Sequence, residues 1–527
     1  MSADPADATG TGPATGADVD PVAAVPVSAL ADRLRAVGLA CDVIGDGDVT
    51  LGSVTHDSRA VDPGALFACL RGDAFDGHLF ASDAVRSGAR ALLVDHRLDV
   101  SRDVTQLVVA DTRRAVGPLA ALVAGDPSRR ITTVGITGTN GKTTTAQLVA
   151  SILDEVGRST GVIGTLHGPR TTPEAADLQR RLAGFVDDGM SAAVMEVSSH
   201  ALALHRVDGT SFDVVAFTNF GHDHLDLHGT PEEYFRAKSL LFDARFAPVA
   251  VIDVDDPHGR VLADVVADRS GADALRVVEV SLSDVSDVEV DPGEHRYTWR
   301  GVDVVVPIGG DFNVSNSLLA LTIATELGIE PERAAAAIAG AAAVPGRFER
   351  VATDAGDRRG ISVIVDYAHT PDGLERLLES ARDAVPAGCD VVVVFGCGGE
   401  RDRPKRPQMG AVAARLADRV VVTSDNPRRE DPLAIIDDIL GGVPDDDRAR
   451  TSSNPDRRAA IDEALASARP GDLVVIAGKG HETTQDLGDR IVDFDDRIVV
   501  RSLLGDRPER ARPVDPAPSP DRHEDTP

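Results

Sequence analysis

Short apolar, β-branched runs recur through the middle of the chain. They are Ile131–Thr137, Ala192–Val197, Val214–Thr218, Val249–Val254, Ser362–Val365, Asp390–Phe395, Arg419–Thr423 and Leu473–Ala477. Runs of this length and composition read as strands buried on both faces. Helical stretches such as Thr143–Glu155 and Gly373–Ala384 lie between several of them. The alternation predicts an α/β fold of parallel sheets covered by helices. Two loops punctuate it. Gly125-Asp126-Pro127-Ser128 precedes the first strong strand, and Val344-Pro345-Gly346-Arg347 follows an Ala-rich helical stretch. Three modules are therefore expected, at 28–128, 129–345 and 346–505. The ends, 1–27 and 506–527, are rich in Pro, Asp, Ala and Gly or in Pro and charge, and read as disordered tails.

Composition narrows the function. At 527 residues the chain is long enough for about three domains. No apolar run approaches the roughly 18–20 residues of a membrane helix, so no membrane insertion is expected. The N-terminal MSADPADATG has neither a basic nor an apolar signal region, which points to a cytoplasmic protein. The net charge of −31 argues against nucleic acid as a partner. Four cysteines without a CxxC pattern read as free thiols in a reducing compartment. A monomer is expected.

The basic residues are skewed. Of 54 Lys plus Arg, only Lys142, Lys238, Lys405 and Lys479 are lysine. Arg is planar, bulky and permanently charged, so a surviving Lys marks a place where a guanidinium cannot substitute. The first, Lys142, lies in Gly138-Thr139-Asn140-Gly141-Lys142-Thr143-Thr144, directly after the run Ile131–Thr137. A strand, a glycine-rich turn and a helix N-terminus together form a phosphate-binding loop. Lys142 would neutralise the β- and γ-phosphates of ATP, and the Thr143 hydroxyl would ligate Mg²⁺. The usual first glycine of such loops is replaced by Ile136, with Gly138 lying closer.

Glu196 ends the second central strand, beside that loop, and suits a Mg²⁺ ligand. Five of the fourteen histidines fall between 200 and 228. His222-Asp223-His224-Leu225-Asp226 starts like a zinc hydrolase motif, but Leu227 stands where the next His is needed, so the ligand spacing is wrong. Lys238 follows on a helical stretch.

Taken together, Thr137–Thr144, Glu196-Val197-Ser198-Ser199-His200, Asp223-His224-Leu225-Asp226 and Lys238 resemble the Mur ligase family of ATP-dependent peptidoglycan ligases. The resemblance spans about residues 50 to 500. It implies a three-domain architecture with a P-loop central domain and a Rossmann-like C-terminal domain. It also implies ATP as cosubstrate, Mg²⁺ held by Thr143, Glu196, His224 and Lys238, and carbamylation of Lys238, a chemistry closed to Arg. Lys142, Glu196, His224 and Lys238 are the implied catalytic group. Gly138–Thr144, Asn316 and Asp366 match nucleotide-binding positions. Ser58, Asp73, Ala74 and Phe75 match contacts to the uridine diphosphate end of a UDP-N-acetylmuramoyl dipeptide. Thr171, Thr172, Ser198 and Arg206 match its muramoyl-dipeptide end. Leu204 replaces the Gln usual two residues before that arginine, and Phe220-Gly221-His222 replaces the more usual Leu-Ser-Arg.

The amino acid added is read from Ser424-Asp425-Asn426-Pro427-Arg428. Family members using meso-diaminopimelate carry the same Asp-Asn-Pro-Arg. Diaminopimelate has a second carboxylate that lysine lacks, and an arginine pairs with a carboxylate through two charge-assisted bonds. Arg401, Asp425, Asn426, Pro427, Arg428, Gly478 and Glu482 are the implied diaminopimelate contacts. The implied reaction joins meso-diaminopimelate to the D-Glu carboxylate of the UDP-linked dipeptide through an acyl phosphate. Ligation of L-lysine, glutamate extension of folate, a P-loop NTPase of another role and a zinc hydrolase stand as alternatives.

Overall fold

The computed structural model describes residues 24–505 except 73, 74, 222, 224, 270, 272 and 273, together with the backbone but not the side chains of 225 and 226. Packing divides the described chain into two compact units. One holds the residues up to Phe220, Leu227–Leu282 and Asn316–Ile338. The other holds Gly221–Asp226, Ser283–Ser315 and the chain from Ala339 on.

The first unit contains two sheets. In the N-terminal one, Cys41–Ile44, Thr105–Val109, Ala91–Val94, Ala65–Ala68 and Ser53–Thr55 lie side by side, parallel except at the Cys41–Ile44 edge. The chain is ordered earlier than the expected tail boundary. Val25–Pro26 pairs with Thr50–Leu51, and Val27, the first residue of helix Val27–Ala36, is completely buried. Its apolar face (Val27, Leu30, Ala31, Leu34) explains why: the helix adds four side chains to the core at helical spacing. The remaining tail residues, 1–23 and 506–527, lie outside the described residues.

The second sheet of this unit is all parallel, in the order Arg276–Val280, Val249–Asp253, Val214–Phe217, Thr132–Thr137, Ala192–Glu196, Thr160–Ile163. The first of these strands in sequence, Thr132–Thr137, sits in the middle. The next strand, Thr160–Ile163, takes one edge, Ala192–Glu196 inserts between the two, and the remaining three build outward on the other side. The C-terminal end of such a strand is the switch point where α/β sheets bind ligands. Helix Lys142–Glu155 follows directly.

The second unit is organised around a six-stranded sheet in the order Glu349–Arg350, Ser362–Asp366, Leu473–Ala477, Val391–Phe395, Arg419–Thr423, Thr451–Asn454, parallel apart from the first edge. The last central strand, Leu473–Ala477, inserts between the first two long ones. The loops after Asp366, Ala477, Phe395 and Thr423 therefore leave neighbouring strand ends. A hairpin of Thr484–Asp486 and Ile491–Asp493 follows. A three-stranded antiparallel sheet (Val285–Val290, His295–Trp299, Val302–Val306) also belongs to this unit. The Ala-rich stretch is helical over Pro331–Ile338 and ends before the loop at Val344-Pro345-Gly346-Arg347. The eight predicted strands are present, within a residue or so at each end.

Candidate functional site

The phosphate loop closes on itself through backbone. Gly141 caps helix Lys142–Glu155 with φ 83°, and a Cβ there would lie 2.2 Å from Asn316 Oδ1. At Gly138, φ is 149° and a Cβ would meet the Thr218 hydroxyl. Any larger residue would clash at either position, and φ in this region is strained for residues with a Cβ. Lys142 Nζ donates to the Gly138 and Thr139 carbonyls, both at 2.9 Å. The neighbouring strand end fixes the loop from the side. The Thr218 hydroxyl donates to the Asn140 carbonyl at 2.5 Å, and the Asn140 N–H donates to Asn219 Oδ1 at 2.9 Å. Asn316, far away in sequence, packs against the loop: it touches Gly141 and accepts from the Thr145 hydroxyl at 3.4 Å.

Glu196, 2% exposed, reaches the same place from the adjacent strand. Its Oε2 accepts from the Thr143 hydroxyl at 2.9 Å. The N–H and hydroxyl of Thr165 donate to Oε1 and Oε2 at 2.8 and 3.2 Å. Gly164 makes the approach possible, because a Cβ there would sit 2.2 Å from Glu196 Oε1. Lys238 is not a solvated helix lysine. It is 1% exposed, donates to the Gly138 carbonyl at 2.6 Å, and lies 4.4 Å from the centre of the Tyr234 ring. His224 lies outside the described residues. Among those described, the one His/carboxylate group close enough to share a metal is His78, Asp95 and His96. Arg71 Nε already sits 2.6 Å from Asp95 there.

The residues implied for the dipeptide cluster beyond Glu196. The Thr172 hydroxyl donates to the Glu196 carbonyl at 2.9 Å and accepts from the Ser198 N–H at 3.1 Å. Ser198 caps helix Ser199–Ala203, and Thr171 lies 3.0 Å from the Thr165 hydroxyl. Arg206 is buried and pairs with Glu174 at 2.7 Å. Arg170 reaches the same carboxylate at 2.8 Å, and Arg113 lies 3.7 Å from it. Burial lowers the Arg206 guanidinium from its ordinary value, against the opposing charge of Glu174. Sequence reading missed Glu174, although it directly follows Thr171-Thr172-Pro173. In the N-terminal sheet, Ser58 lies on the loop after strand Ser53–Thr55, where Asp57 pairs with Arg59 at 2.7 Å. That pairing holds the Asp57 carboxyl at about 2. Phe75 is 70% exposed, and Asp73 and Ala74 lie outside the described residues.

In the second unit, Asp366 ends its strand, and its two oxygens accept from the Phe348 and Ala368 N–H groups, each at 2.7 Å. Burial pushes its carboxyl up despite these bonds and the charge of Arg347. Asp425, Asn426, Pro427 and Arg428 follow strand Arg419–Thr423. Asn426 Nδ2 donates to Glu482 Oε2 at 2.9 Å. Arg428 has φ 53°, donates from its N–H to the Asp486 carbonyl at 3.1 Å, and anchors Nη1 on the Gly399 carbonyl at 2.5 Å. A Cβ on Gly398 would lie 3.2 Å from Arg428 Nη1 and 3.7 Å from Arg401 Cγ, so the two arginines flank one glycine. Gly478, with φ 111°, leaves space beside Asp425, whose Oδ2 would be 3.4 Å from a Cβ there. The seven residues implied for diaminopimelate are thus drawn from loops at neighbouring strand ends. Sequence reading did not find the fully buried pair Arg457–Asp496 behind them, whose atoms approach to 2.7 Å.

Models of the Mur ligase family match along the chain: the catalytic domain over residues 50–123, the middle domain over 136–324 and the glutamate ligase domain over 346–480. A relative in Syntrophomonas wolfei, named UDP-N-acetylmuramoyl-L-alanyl-D-glutamate--2,6-diaminopimelate ligase, is 41% identical over 474 residues, covering 87% of this chain and 96% of its own. One of the same name in Streptomyces avermitilis is 42% identical over 508 residues, covering 92% and 97%. A solved structure titled with that enzyme name superposes with a TM-score of 0.65 at 30% identity, covering 92% of this chain and 99% of its own. A MurF structure from Acinetobacter baumannii shares the fold, with a TM-score of 0.62 at 18% identity. With relatives this similar over almost its whole described length, the chain belongs to the Mur ligase family.

Proposed function

We propose that the chain is an ATP-dependent ligase that joins meso-diaminopimelate to UDP-N-acetylmuramoyl-L-alanyl-D-glutamate, in peptidoglycan precursor synthesis. The observation that carries the choice of amino acid is the charge layout around Asp425–Arg428. Two arginines, Arg401 and Arg428, flank Gly398, while Asp425 and Glu482 supply carboxylates on the adjoining loops. Each end of diaminopimelate carries an ammonium and a carboxylate on one carbon, and such an end needs both signs in one pocket. L-Lysine lacks the second carboxylate, so it would forgo the pairing that these arginines offer, which a site built for that pairing disfavours.

The phosphate loop supports the first half of the reaction. The D-glutamate side-chain carboxylate attacks the γ-phosphorus of ATP, the bond to ADP breaks, and an acyl phosphate forms. Lys142 and the N–H groups of Gly138–Thr144 stabilise the charge on the transferring group, with Asn316 and Asp366 as further nucleotide contacts. The neutral amine of diaminopimelate then attacks the acyl carbon. The tetrahedral intermediate expels phosphate, the amine proton is lost, and an amide remains. A free carboxylate is inert to amines, so phosphorylation provides the leaving group.

Mg²⁺ fits the donors present. The Thr143 hydroxyl and Glu196 carboxylate are hard oxygen ligands 2.9 Å apart, and Gly164 leaves room beside Glu196 that a side chain would fill. Thr143, Glu196, His224 and Lys238, the last as its carbamate, would hold the metal. When bound, it would neutralise phosphate charge. Thr171, Thr172, Ser198 and Arg206 would hold the muramoyl dipeptide, and Ser58 with Asp73–Phe75 the uridine diphosphate. The modules 28–128, 129–345 and 346–505 divide these tasks in a cytoplasmic monomer. No helix among the described residues is long and apolar enough to cross a membrane.

The test is phosphate release by the purified chain with ATP and Mg²⁺. Release is expected only when both the UDP-linked dipeptide and meso-diaminopimelate are present, with L-lysine inactive. Equal turnover with L-lysine would overturn the choice of amino acid, and release without either acceptor would overturn the ligase.

A further inference from the structure

Lys479 is one of four lysines in a chain with 54 basic residues, and its side chain is completely buried. Its ammonium has three N–H donors, and all three are occupied. They reach the Thr484 carbonyl at 2.7 Å, Glu482 Oε2 at 2.8 Å and Asn426 Oδ1 at 3.3 Å. Asp425 Oδ1 lies 3.8 Å away. No donor is left for a ligand.

What the lysine holds is the loop set at the amino-acid site. Asn426 Oδ1 also accepts from the Asp486 N–H at 3.0 Å, so the amide orientation is fixed and its Nδ2 faces Glu482. Glu482 Oε2 takes both bonds, and Oε1 accepts none among the described residues. The Asp425 carboxylate, 7% exposed, accepts no hydrogen bond among the described residues, and its Oδ1 is fully enclosed. Behind them, Arg457 donates to the Ser424 and Ala477 carbonyls at 3.3 and 3.0 Å and pairs with Asp496. It thereby ties together the two strand ends from which Asp425 and Gly478 depart.

Resting on the ligase reading above, we propose that Lys479 is a positioning residue that presets Asp425, Asn426 and Glu482 for the ammonium of the incoming amino acid. Two carboxylates and one ammonium leave this corner with a single negative charge, matched to one substrate ammonium. Burial pushes the Glu482 carboxyl up, but the Lys479 charge, its hydrogen bond and that of Asn426 hold it below its ordinary value, with His481 adding to them. Burial raises Asp425, opposed by Arg457 and Lys479 and assisted by Glu482 and Asp496. A planar guanidinium cannot direct three donors to acceptors around one point, which accounts for lysine here in an arginine-rich chain.

The test compares the intact wild-type chain with Lys479→Met and Lys479→Arg, measuring kcat and KM for all three substrates. For Lys479→Met, KM for diaminopimelate is expected to rise by ~10–100-fold, the worth of a charge-assisted contact. KM for ATP and for the UDP-linked dipeptide should stay within about twofold, the scatter of an unperturbed site. The diaminopimelate defect should deepen as pH falls from about 8 to 6, because Glu482 without its ammonium gains a proton more readily. Lys479→Arg, which keeps the charge, covers the case in which the methionine variant does not fold. It should still raise that KM by about tenfold, from misdirected donors. Unchanged KM for diaminopimelate in either variant, or an equal rise in all three KM values, overturns the proposal. Absence of diaminopimelate-dependent turnover in the wild type overturns the ligase reading and this inference with it.

Discussion

The phosphate loop and the Asp425–Arg428 loop both leave the C-terminal end of a parallel strand, yet they are made of different material. The first is shaped by backbone: two glycines in left-handed conformations, carbonyls that take the Lys142 ammonium, and a neighbouring strand end that braces Asn140. The second is shaped by buried charge. Lys479 holds Glu482 and Asn426, and Arg457 with Asp496 anchors the strand ends. A backbone-built loop takes its shape from its own glycines and carbonyls, is braced by Thr218, Asn219 and Asn316 from distant parts of the chain, and fails when a Cβ is added. A charge-built loop depends on residues 30 to 70 positions away and fails when one partner of a pair is removed.

The largest effect that would break this comparison lies in the second loop's foundation. Arg457→Met leaves Asp496 buried and unpaired and should cost about 3–5 kcal/mol in denaturant unfolding, whereas converting both to apolar residues should recover most of it. A small loss in the single variant would mean that the pair is not the anchor. The phosphate loop comes next. Lys142→Ala should lower kcat by roughly 10²–10³-fold, and denaturant unfolding of the same variant separates loss of the ammonium from loss of the fold. Gly141→Ala should do comparable damage through the clash with Asn316 rather than through charge.

The smallest effect sharpens the contrast in how the sheets tolerate buried charge. Asp253 ends a strand of the phosphate-loop sheet, and burial pushes its carboxyl up to about 6, against hydrogen bonds from the Asp255 and Asp256 N–H groups and with the charges of the same two residues adding to the shift. An acid whose folded value lies above its unfolded value stabilises the fold at low pH and loses that contribution as pH rises through about 4 to 6. Asp253→Asn should therefore stabilise the chain by roughly 1–3 kcal/mol at pH 7.5 and by little at pH 4. Thermal unfolding at the two pH values checks it.

The same contrast explains what could be read without coordinates. Eight parallel strands were legible because most are continuous apolar runs rich in Val and Ile, whereas parallel strands such as Ala65–Ala68, Ala91–Val94, Thr160–Ile163 and Thr451–Asn454 went unread. The phosphate loop was legible because its glycines, Lys142 and Thr143 are contiguous. Lys238 and Lys479 stood out through the scarcity of lysine, although nothing local told what they touch. Arg457, Asp496 and Glu174 left little local signal, since a buried ion pair looks like any two surface charges until the fold brings them together. The three-stranded sheet of Val285–Trp299 and Val302–Val306 also went unread. Its strands alternate with exposed polar residues and lack the continuous apolar runs of the parallel sheets.

The most direct measurement is the ratio of kcat/KM for meso-diaminopimelate over L-lysine in the wild type and in Arg428→Met. A site built around the second carboxylate should give a wild-type ratio on the order of 10⁴. The ratio should fall by ~10–100-fold in the variant, through loss of diaminopimelate activity. A wild-type ratio near unity, or a ratio unchanged by Arg428→Met, would contradict the charge-built pocket as the source of selectivity.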